Sequence, residues 1–506
     1  MLFSKASIVL SAALLYSAFS NAAKWIDTDN LTLRHHIQLL ADTGILSAPT
    51  STYPLKWASI AGDLNKAQSS NLSASQQYAL NYVLAAYQAQ QKTMQLNVRL
   101  QASKNERFFT GFGDEVRDKA KLTASAQYNG ERFFGKLSLN ALPAIDDATN
   151  YSDQNTINVD YSYVAMTLGN WLLSAGSVSQ WYGPGLDTSL VLSNNARPMP
   201  GITVSRNDSS AFETPWLSWI GPWTYTATMS KLEQQRFVPD ALLFQNRGTL
   251  RPFTGLELGI SWVAQWGGEG QPSGVSDFFD IILGKEDCAV NIDPCPPGQD
   301  TQFGNQLAGY DVRWSDTLFE LPYALYYQTI GEDKSPNFGV TDKGHLFGIE
   351  IRPFVNNTPW LFNLEYTDTF AVDCGGRGGV LGNCYYEHNI YESGYRYHRR
   401  SIGGQYDNDA TSVVLTVLAP LSWANHWQSK LRYIELNKDN SDKYKSQPWL
   451  GNTLSKVAQE LWQFDNQVSF NMLDSQVMLG VSITQRDDGV QSDTDANVYG
   501  SWQYNF

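Results

Sequence analysis

The feature that most constrains this chain is an alternation of apolar and polar side chains with a period of two. It begins near Met94, where Leu96, Val98 and Leu100 alternate with polar residues, and it recurs up to the last residue. Such a pattern predicts strands with one face toward an apolar phase and the other toward water. Short turns alternate with long polar loops between the runs, which is typical of a transmembrane β-barrel.

The composition agrees with a barrel and excludes other classes. Charged residues make up 17% of the 506 residues, aromatic residues 13%, and the net charge is −14. The aromatic content argues against a disordered chain, and the negative charge argues against a nucleic-acid partner. The mean hydropathy of −0.33 argues against a bundle of membrane helices, because each such helix needs about 20 mostly apolar residues.

The last segment of the chain is an alternating strand that ends on an aromatic residue. Trp502, Tyr504 and Phe506 share one face of this strand. An edge strand this apolar would aggregate unless it closed a barrel. The segment resembles the signal by which bacterial outer-membrane proteins are recognised for insertion, so lipid and the barrel assembly machinery are expected partners. The residues after position 93 suffice for about 16 to 20 strands, and we predict an antiparallel barrel of about 18.

The first 92 residues differ from the barrel region. Residues 1–23 combine Lys5, an apolar stretch and small residues before position 23, which predicts a secretory signal peptide. A membrane anchor is the alternative, although the apolar stretch is short and interrupted by polar residues. We therefore expect a signal peptide at 1–23, a periplasmic helical domain at 24–92 and a barrel at 93–506.

Three helices are predicted in the segment 24–92. Apolar residues recur at helical spacing after position 30, where Asp29 or Asn30 can cap the first helix, and Gly44 ends it. A second helix is expected from about Lys56, and a third begins at a capping box formed by Ser73 and Gln76. The adjacent histidines of the first helix point about 100° apart, so we expect surface or domain-contact residues rather than a metal site.

Four cysteines form two local pairs, Cys288 with Cys295 and Cys374 with Cys384. Export makes disulfides possible, and four cysteines allow three connectivities. The spacing lacks the short pairs of a zinc site. Because both pairs lie among Gly, Pro and Asp, we expect local disulfides on long exposed loops.

The segment from Gly169 to Gly270 contains more specific motifs. These include WYGPGLDTSL, NARPMPG and AQWGGEG, and they resemble the Wzi family of capsule assembly proteins. The opening WIDTDNLTLRHHIQLLADTGIL is similar to the family's N-terminal helical region. The resemblance implies a wide barrel with a helical bundle on its periplasmic side. It also implies an outer-membrane lectin that attaches capsular polysaccharide to the cell surface.

Carbohydrate sites combine flat aromatic rings with amide, carboxylate and guanidinium groups. Strand spacing places Tyr391, Tyr395 and Tyr397 on one face, expected to form an aromatic girdle at the lipid boundary. The other face would carry a basic stripe for acidic sugars, although arginines paired with lumenal carboxylates are the ordinary alternative. The candidate carbohydrate contacts are Trp181, Tyr182, Asp187, Arg197, Arg206, Trp266, Arg396, His398 and Arg400.

Two of these groups have a structural alternative. The Gly183-Pro-Gly bend predicts that Trp181, Tyr182 and Asp187 lie inside the barrel, as a sugar site or as a plug without ligand. Trp266 ends a strand, where a membrane-interface Trp is the alternative to a sugar platform. The acidic residues near Cys288 lack the spacing of a calcium loop, so no metal and no cofactor are expected.

No catalytic motif is present, so we expect a protein that is not an enzyme. The competing function is a solute porin whose N-terminal helices, which resemble surface-layer homology modules, contact the cell wall. A porin requires an open lumen, whereas the lectin is expected to have a plug near residues 180–200. We expect the protein to be a monomer.

Overall fold

The computed structural model describes residues 25–114, 116–142, 157–283, 304–334, 340–371, 382–421, 424–444, 446–447 and 450–506. The predicted signal peptide and the cysteines at 288, 295 and 374 lie outside the described residues. Cys384 is disulfide-bonded. The pairing of the four cysteines and the cleavage after residue 23 therefore stay predictions.

Within the described ranges, eighteen antiparallel strands form one closed barrel, as predicted. The fourth strand is interrupted. The short segment Ile157–Asn158 precedes it, and both pair with the third strand, Phe133–Ala141. The strands are β1 (Met94–Ser103), β2 (Ala120–Asn129), β3 (Phe133–Ala141), β4 (Tyr163–Leu168), β5 (Trp171–Ser177), β6 (Pro200–Arg206), β7 (Trp223–Lys231), β8 (Leu242–Phe253), β9 (Leu256–Trp266), β10 (Asn305–Leu318), β11 (Leu321–Lys334), β12 (Val340–Ile351), β13 (Leu361–Asp368), β14 (Thr411–Leu421), β15 (Ala424–Leu436), β16 (Gln459–Met472), β17 (Ser475–Asp487) and β18 (Ser492–Asn505).

The last strand closes the barrel against the first. In this register Trp502 lies opposite Leu100 and Tyr504 opposite Val98. Beyond the strand, the Phe506 N–H donates to the Leu96 carbonyl at 2.9 Å. The predicted adjacency of the terminal strand and the strand near Leu96 is therefore confirmed.

The alternation seen in the sequence separates the two faces of the wall. On β8, Gln245, Arg247, Thr249 and Arg251 are buried and face the lumen. On the neighbouring β9, the outward Ile260 is 67% exposed. An apolar outer face and a polar inner face are what a barrel in lipid requires.

The two ends of the barrel differ. At one end, here called the turn side, strands are joined by short turns such as 254–255, 319–320 and 473–474. At the opposite end, the loop side, the connections include 104–119, 178–199 and 437–458. This asymmetry is the predicted one, and the N-terminal helices pack at the turn side.

Three helices precede the barrel, α1 (Leu31–Asp42), α2 (Ala58–Ala67) and α3 (Ala74–Ala89). Asn30 caps α1 by accepting from the Leu33 N–H at 2.8 Å, and Ser73 and Gln76 form the predicted capping box of α3. Among the described residues, no helix is both long enough and apolar enough to cross a membrane.

Helix α1 lies in the mouth of the barrel, and all of its residues are buried. Asp42 at its end pairs with Arg313 of β10 and, at 2.7 Å, with Arg352. Both histidines are buried, and His35 contacts the Pro359 carbonyl of the barrel at 3.2 Å, so of the two predicted positions His35 occupies the domain contact and not the surface. Helix α1 packs into the wall, so the helical segment and the barrel share buried contacts. The division into units at 24–92 and 93–506 stays a prediction.

The seam between β18 and β1 leads to a first prediction. Replacing Phe506 by Asp, or deleting it, places a charge or a gap where the terminal ring packs at 4.7 Å from Tyr504. We expect little heat-modifiable protein on a gel and increased periplasmic degradation. Phe319→Asn, at an exposed turn-side position, is the matched control. Normal amounts of folded Phe506→Asp protein would contradict the closing role.

The pairing of Asp42 leads to a second prediction. Asp42→Asn removes the negative charge that Arg313 and Arg352 share in a buried site. The free energy of unfolding is expected to fall by about 3 kcal/mol. We expect α1 to become sensitive to protease in detergent-solubilised protein, at a temperature where the unaltered protein resists. Asp474→Asn, at an exposed turn, should leave the resistance unchanged. Equal resistance of both variants would contradict the anchoring role of Asp42.

Candidate functional site: the plugged lumen and the loop-side face

The loop between β5 and β6 folds into the lumen, as the Gly183-Pro-Gly bend predicts. Trp181 and Tyr182 are fully buried and form a short antiparallel pair with Tyr53 and Thr52. The Trp181 indole N–H donates to the Gly185 carbonyl at 3.1 Å. This loop, residues 178–199, is the centre of what we call the plug.

Polar groups of the wall satisfy the backbone of the plug. The Glu365 carboxylate of β13 accepts from the N–H groups of Leu186 at 2.8 Å and Thr188 at 2.9 Å. On β11, the Gln328 side chain accepts from the Leu190 N–H and donates to the Tyr182 carbonyl, both at 2.9 Å. Buried backbone groups need such partners, so the plug is fixed by hydrogen bonds as well as by packing.

Asp187 lies at the centre of a buried charge cluster. Its carboxylate pairs with Arg432 of β15 at 2.8 Å and accepts from the Gln405 amide at 2.5 Å. Nearby, Asp114 pairs with Lys430 at 2.6 Å. Burial opposes ionisation of Asp114, but Lys430, Arg107 and Arg432 together hold its pKa well below the usual range. Buried carboxylates paired in this way attach the plug to the wall. Their oxygens are occupied by protein cations and donors.

The long loop after β13 forms the outer layer of the plug. The Arg396 guanidinium donates two hydrogen bonds to the Asp407 carboxylate, at 2.8 and 2.7 Å, and also pairs with Glu387 at 2.7 Å. Burial raises the pKa of Glu387 to about 7 despite the neighbouring guanidinium. Arg396 is 1% exposed, so it offers no surface to a ligand.

The tyrosines of this loop do not form a girdle at the lipid boundary, and that prediction is wrong. Tyr391, Tyr395 and Tyr397 are buried in the plug. The Tyr395 hydroxyl donates to the Val191 carbonyl at 2.9 Å, and the Tyr391 hydroxyl donates to the Gly267 carbonyl at 3.1 Å. In the described part of this loop, Arg396–Tyr397 and Arg400–Ser401 form a single pair of two-residue strands, so the strand spacing assumed for 385–400 does not apply.

The predicted carbohydrate contacts are therefore not one cluster. Trp181, Tyr182, Asp187 and Arg396 are enclosed in the plug, where their polar groups bond to protein. In this structure they build the plug and have no free face for a sugar. Of the two alternatives given for the Gly183-Pro-Gly segment, a sugar site or a plug without ligand, this arrangement is the plug.

Two further candidates lie on the outer wall. Trp266 faces away from the lumen and packs 5.3 Å from Phe278 of a short helix, α4 (Val275–Ile282). Arg206 lies at the turn-side end of β6, with its guanidinium 3.8 Å from the centre of the Trp223 ring. Neither belongs to a loop-side carbohydrate surface, because strand register directs both side chains outward.

Three candidates remain half-buried on the loop side. Arg400 donates to the carbonyls of Arg107 at 2.8 Å and Phe108 at 2.7 Å. His398 packs on Tyr397 at 4.4 Å, and Arg197 pairs with Asp160 at 2.7 Å. These three side chains are bonded to protein yet retain exposed surface.

The wall residues that hold the plug were not among the sequence candidates. Glu365, Gln328, Arg432 and Lys430 each occupy an inward position of an alternating strand. A charged residue flanked by apolar residues at i−1 and i+1, such as Arg432, was the available signal. Among the described residues, no group of three or more side chains could hold a metal ion.

The comparisons with known proteins agree with this architecture. The family model of capsule assembly protein Wzi matches residues 89–503. A protein of the cps region of Klebsiella pneumoniae, described as an uncharacterised 55.8 kDa protein, is 33% identical over 362 residues. That match covers 68% of this chain and 66% of the relative, so it spans slightly less than two thirds of the relative's length.

Among solved structures, Wzi of Escherichia coli superposes with a TM-score of 0.79 at 27% identity, covering 95% of this chain and 99% of that one. It is described as an outer-membrane protein involved in group 1 capsule assembly and as a carbohydrate-binding β-barrel. OprD of Pseudomonas aeruginosa gives a TM-score of 0.43 at 9% identity, with 82% and 94% coverage. Since the family model spans most of the barrel region, this chain belongs to the Wzi family of capsule assembly proteins.

Proposed function

We propose that this protein is an outer-membrane lectin that attaches capsular polysaccharide to the cell surface and organises it there. The barrel lies in the outer membrane with its helices on the periplasmic side, so the loop side faces outward. The observation that supports this function best is the filled lumen. A protein that retains a polymer needs an outer surface, whereas a porin needs an open passage.

The construction of the plug argues against the alternative, a solute porin. Its backbone is bonded to β11 and β13, and Asp187 is paired with β15. From the turn side, Arg34 of α1 donates to the Pro184 carbonyl at 2.8 Å. Opening a passage would break these buried bonds together, and unpaired buried charges are costly.

We place polymer contacts on the loop-side face, with Arg400, His398 and Arg197 as candidate residues. Guanidinium groups bind carboxylates of acidic sugars through charge-assisted hydrogen bonds. Single contacts of this kind are weak, but a repeating polymer engages many copies of the protein. The candidates enclosed in the plug are left out of this proposal.

Two further parts of the proposal concern assembly. The barrel assembly machinery inserts the chain through its terminal aromatic strand, and the inserted protein works as a monomer. We also propose that it has no enzymatic activity and acts by binding alone. The exposed aromatic residue at the end of β18 supports the first part.

The plug predicts a low ion conductance. Purified protein in planar bilayers should give near-zero conductance at neutral pH, because the lumen is occupied by bonded side chains. A general porin measured under the same conditions is the positive control. Large, stable conductance steps from the unaltered protein would contradict the lectin proposal and favour the porin.

The lectin proposal predicts shedding of polymer. A deletion strain should synthesise capsular polysaccharide in normal amounts but release most of it into the medium, as measured by immunoblot of cells and supernatant. Replacing both Arg400 and His398 by Ala should give a partial release. Arg486→Ala, an exposed arginine at the loop-side end of β17, is the matched control.

The outcomes separate the parts of this proposal. Polymer that stays on the cells of the deletion strain contradicts the lectin function. Loss of synthesis indicates a role in export instead. Full retention by the double variant, with release in the deletion strain, contradicts the choice of residues alone.

A further inference from the structure

The plug does not fill the barrel evenly. A cavity of about 470 Å³ lies between the N-terminal segment and the wall formed by β1, β2, β3 and β18. Pockets for small ligands range from about 300 to 1,000 Å³, so this cavity has the size of a binding site. The plug bonds described above reach β11, β13 and β15, which leaves this part of the wall in contact with the cavity.

The cavity is open at the turn side. Its rim there includes Ala89, Lys92, Asn505 and Phe506, all of which are exposed. Toward the loop side its lining includes the buried Asn194 of the plug. The exposed rim gives a ligand access from the side of the helices, which is the periplasmic side.

The lining of the cavity consists mainly of amide and hydroxyl groups. The side chains of one wall include Asn97, Gln101, Thr123, Gln127, Asn140 and Gln503. Amides donate and accept at the same time, as sugar hydroxyl groups do, so the two match in hydrogen bonding. A lining of this composition suits a polyhydroxylated ligand better than an apolar one.

Aromatic and cationic side chains complete the lining. The rings of Trp25 and Tyr163 line the cavity but are buried against each other at a centroid distance of 4.5 Å, whereas Tyr161 is half-buried and keeps exposed surface. The ammonium group of Lys121 lies 5.0 Å from the centre of the Tyr161 ring. Aromatic surface beside polar groups is the combination that binds the C–H face and the hydroxyls of a sugar.

Polar groups of this wall bond to one another rather than to the plug. The Thr123 hydroxyl donates to Asn140 at 2.8 Å, and Arg99 donates to Gln503 at 2.7 Å. The Ser138 hydroxyl lines the cavity, is buried, and has no hydrogen-bond partner among the described residues. A hydroxylated ligand in the cavity would supply this hydroxyl with a partner.

We propose that this cavity binds a short oligosaccharide segment from the periplasmic side, as a second carbohydrate site separate from the loop-side face. The inference rests on the proposed function, because it takes the ligand class from the polymer that the protein retains. With both sites, the protein contacts glycan on each side of the outer membrane.

A cavity-filling variant tests the site. Ser125 faces the cavity, and its neighbour Ala124 faces outward on the same strand. Ser125→Trp should weaken binding of short oligosaccharides, prepared by depolymerising the strain's own capsule, by about tenfold or more in calorimetry with detergent-solubilised protein. Ala124→Trp adds the same ring on the lipid face and should bind as the unaltered protein does. Equal affinity of both folded variants would overturn the proposal.

A second measurement does not depend on a bulky substitution. Thr123→Cys places a thiol in the cavity, and a maleimide should label it in the purified protein. Saturating oligosaccharide should slow this labelling severalfold, whereas a cysteine at the exposed turn residue Leu473 should react at an unchanged rate. If saturating oligosaccharide leaves the labelling rate of Thr123→Cys unchanged, the proposal is overturned.

Failure of this inference and failure of the proposed function give different results. If the deletion strain sheds polymer but purified protein shows no protection of Thr123→Cys, only the cavity site is wrong. If the deletion strain retains its polymer, the lectin function is wrong whatever the cavity binds.

Discussion

A carboxylate at the end of the first helix, held by two wall arginines, determines how the two parts of this protein fit together. Asp42 pairs with Arg313 and Arg352, and both arginines also contact Glu350. None of these charges is exposed, so each requires the others to remain in place. The helix can therefore take only one depth and one rotation in the mouth of the barrel. In this position Arg34 of the same helix reaches the Pro184 carbonyl of the plug at 2.8 Å.

The inner wall uses one method repeatedly. Charged or amide side chains at alternate strand positions point inward. They form hydrogen bonds with backbone groups of the lumenal segments that have no partner in a helix or strand. Arg251 donates to the carbonyl groups of Leu46 and Ala48, and Glu257 accepts from the N–H groups of Thr50 and Ser51. These bonds give the irregular backbone in the lumen the partners that buried polar groups need. Along β1 to β3, by contrast, the described polar side chains of the wall bond mainly to one another.

Much of this architecture was predictable because lipid imposes a simple rule on the outer face. Strands, their closure between Leu96 and Phe506, and the inward bend at Gly183 all follow from local pattern. The tyrosines from 391 to 397 were misplaced because an aromatic ring with a polar tip suits both a membrane interface and a buried loop. The depth of α1 was not predictable either, since Asp42 and Arg313 lie far apart in sequence and nothing local links them.

A pair of two-residue strands lies inside the lumen. The two-residue strands at Thr52–Tyr53 and Trp181–Tyr182 join a segment that enters the barrel from the periplasm to one that enters from the cell exterior. The pair bonds the two segments to each other through two residues of each. Neither segment can leave the lumen without breaking this pair, so the two ends of the barrel are held together from within.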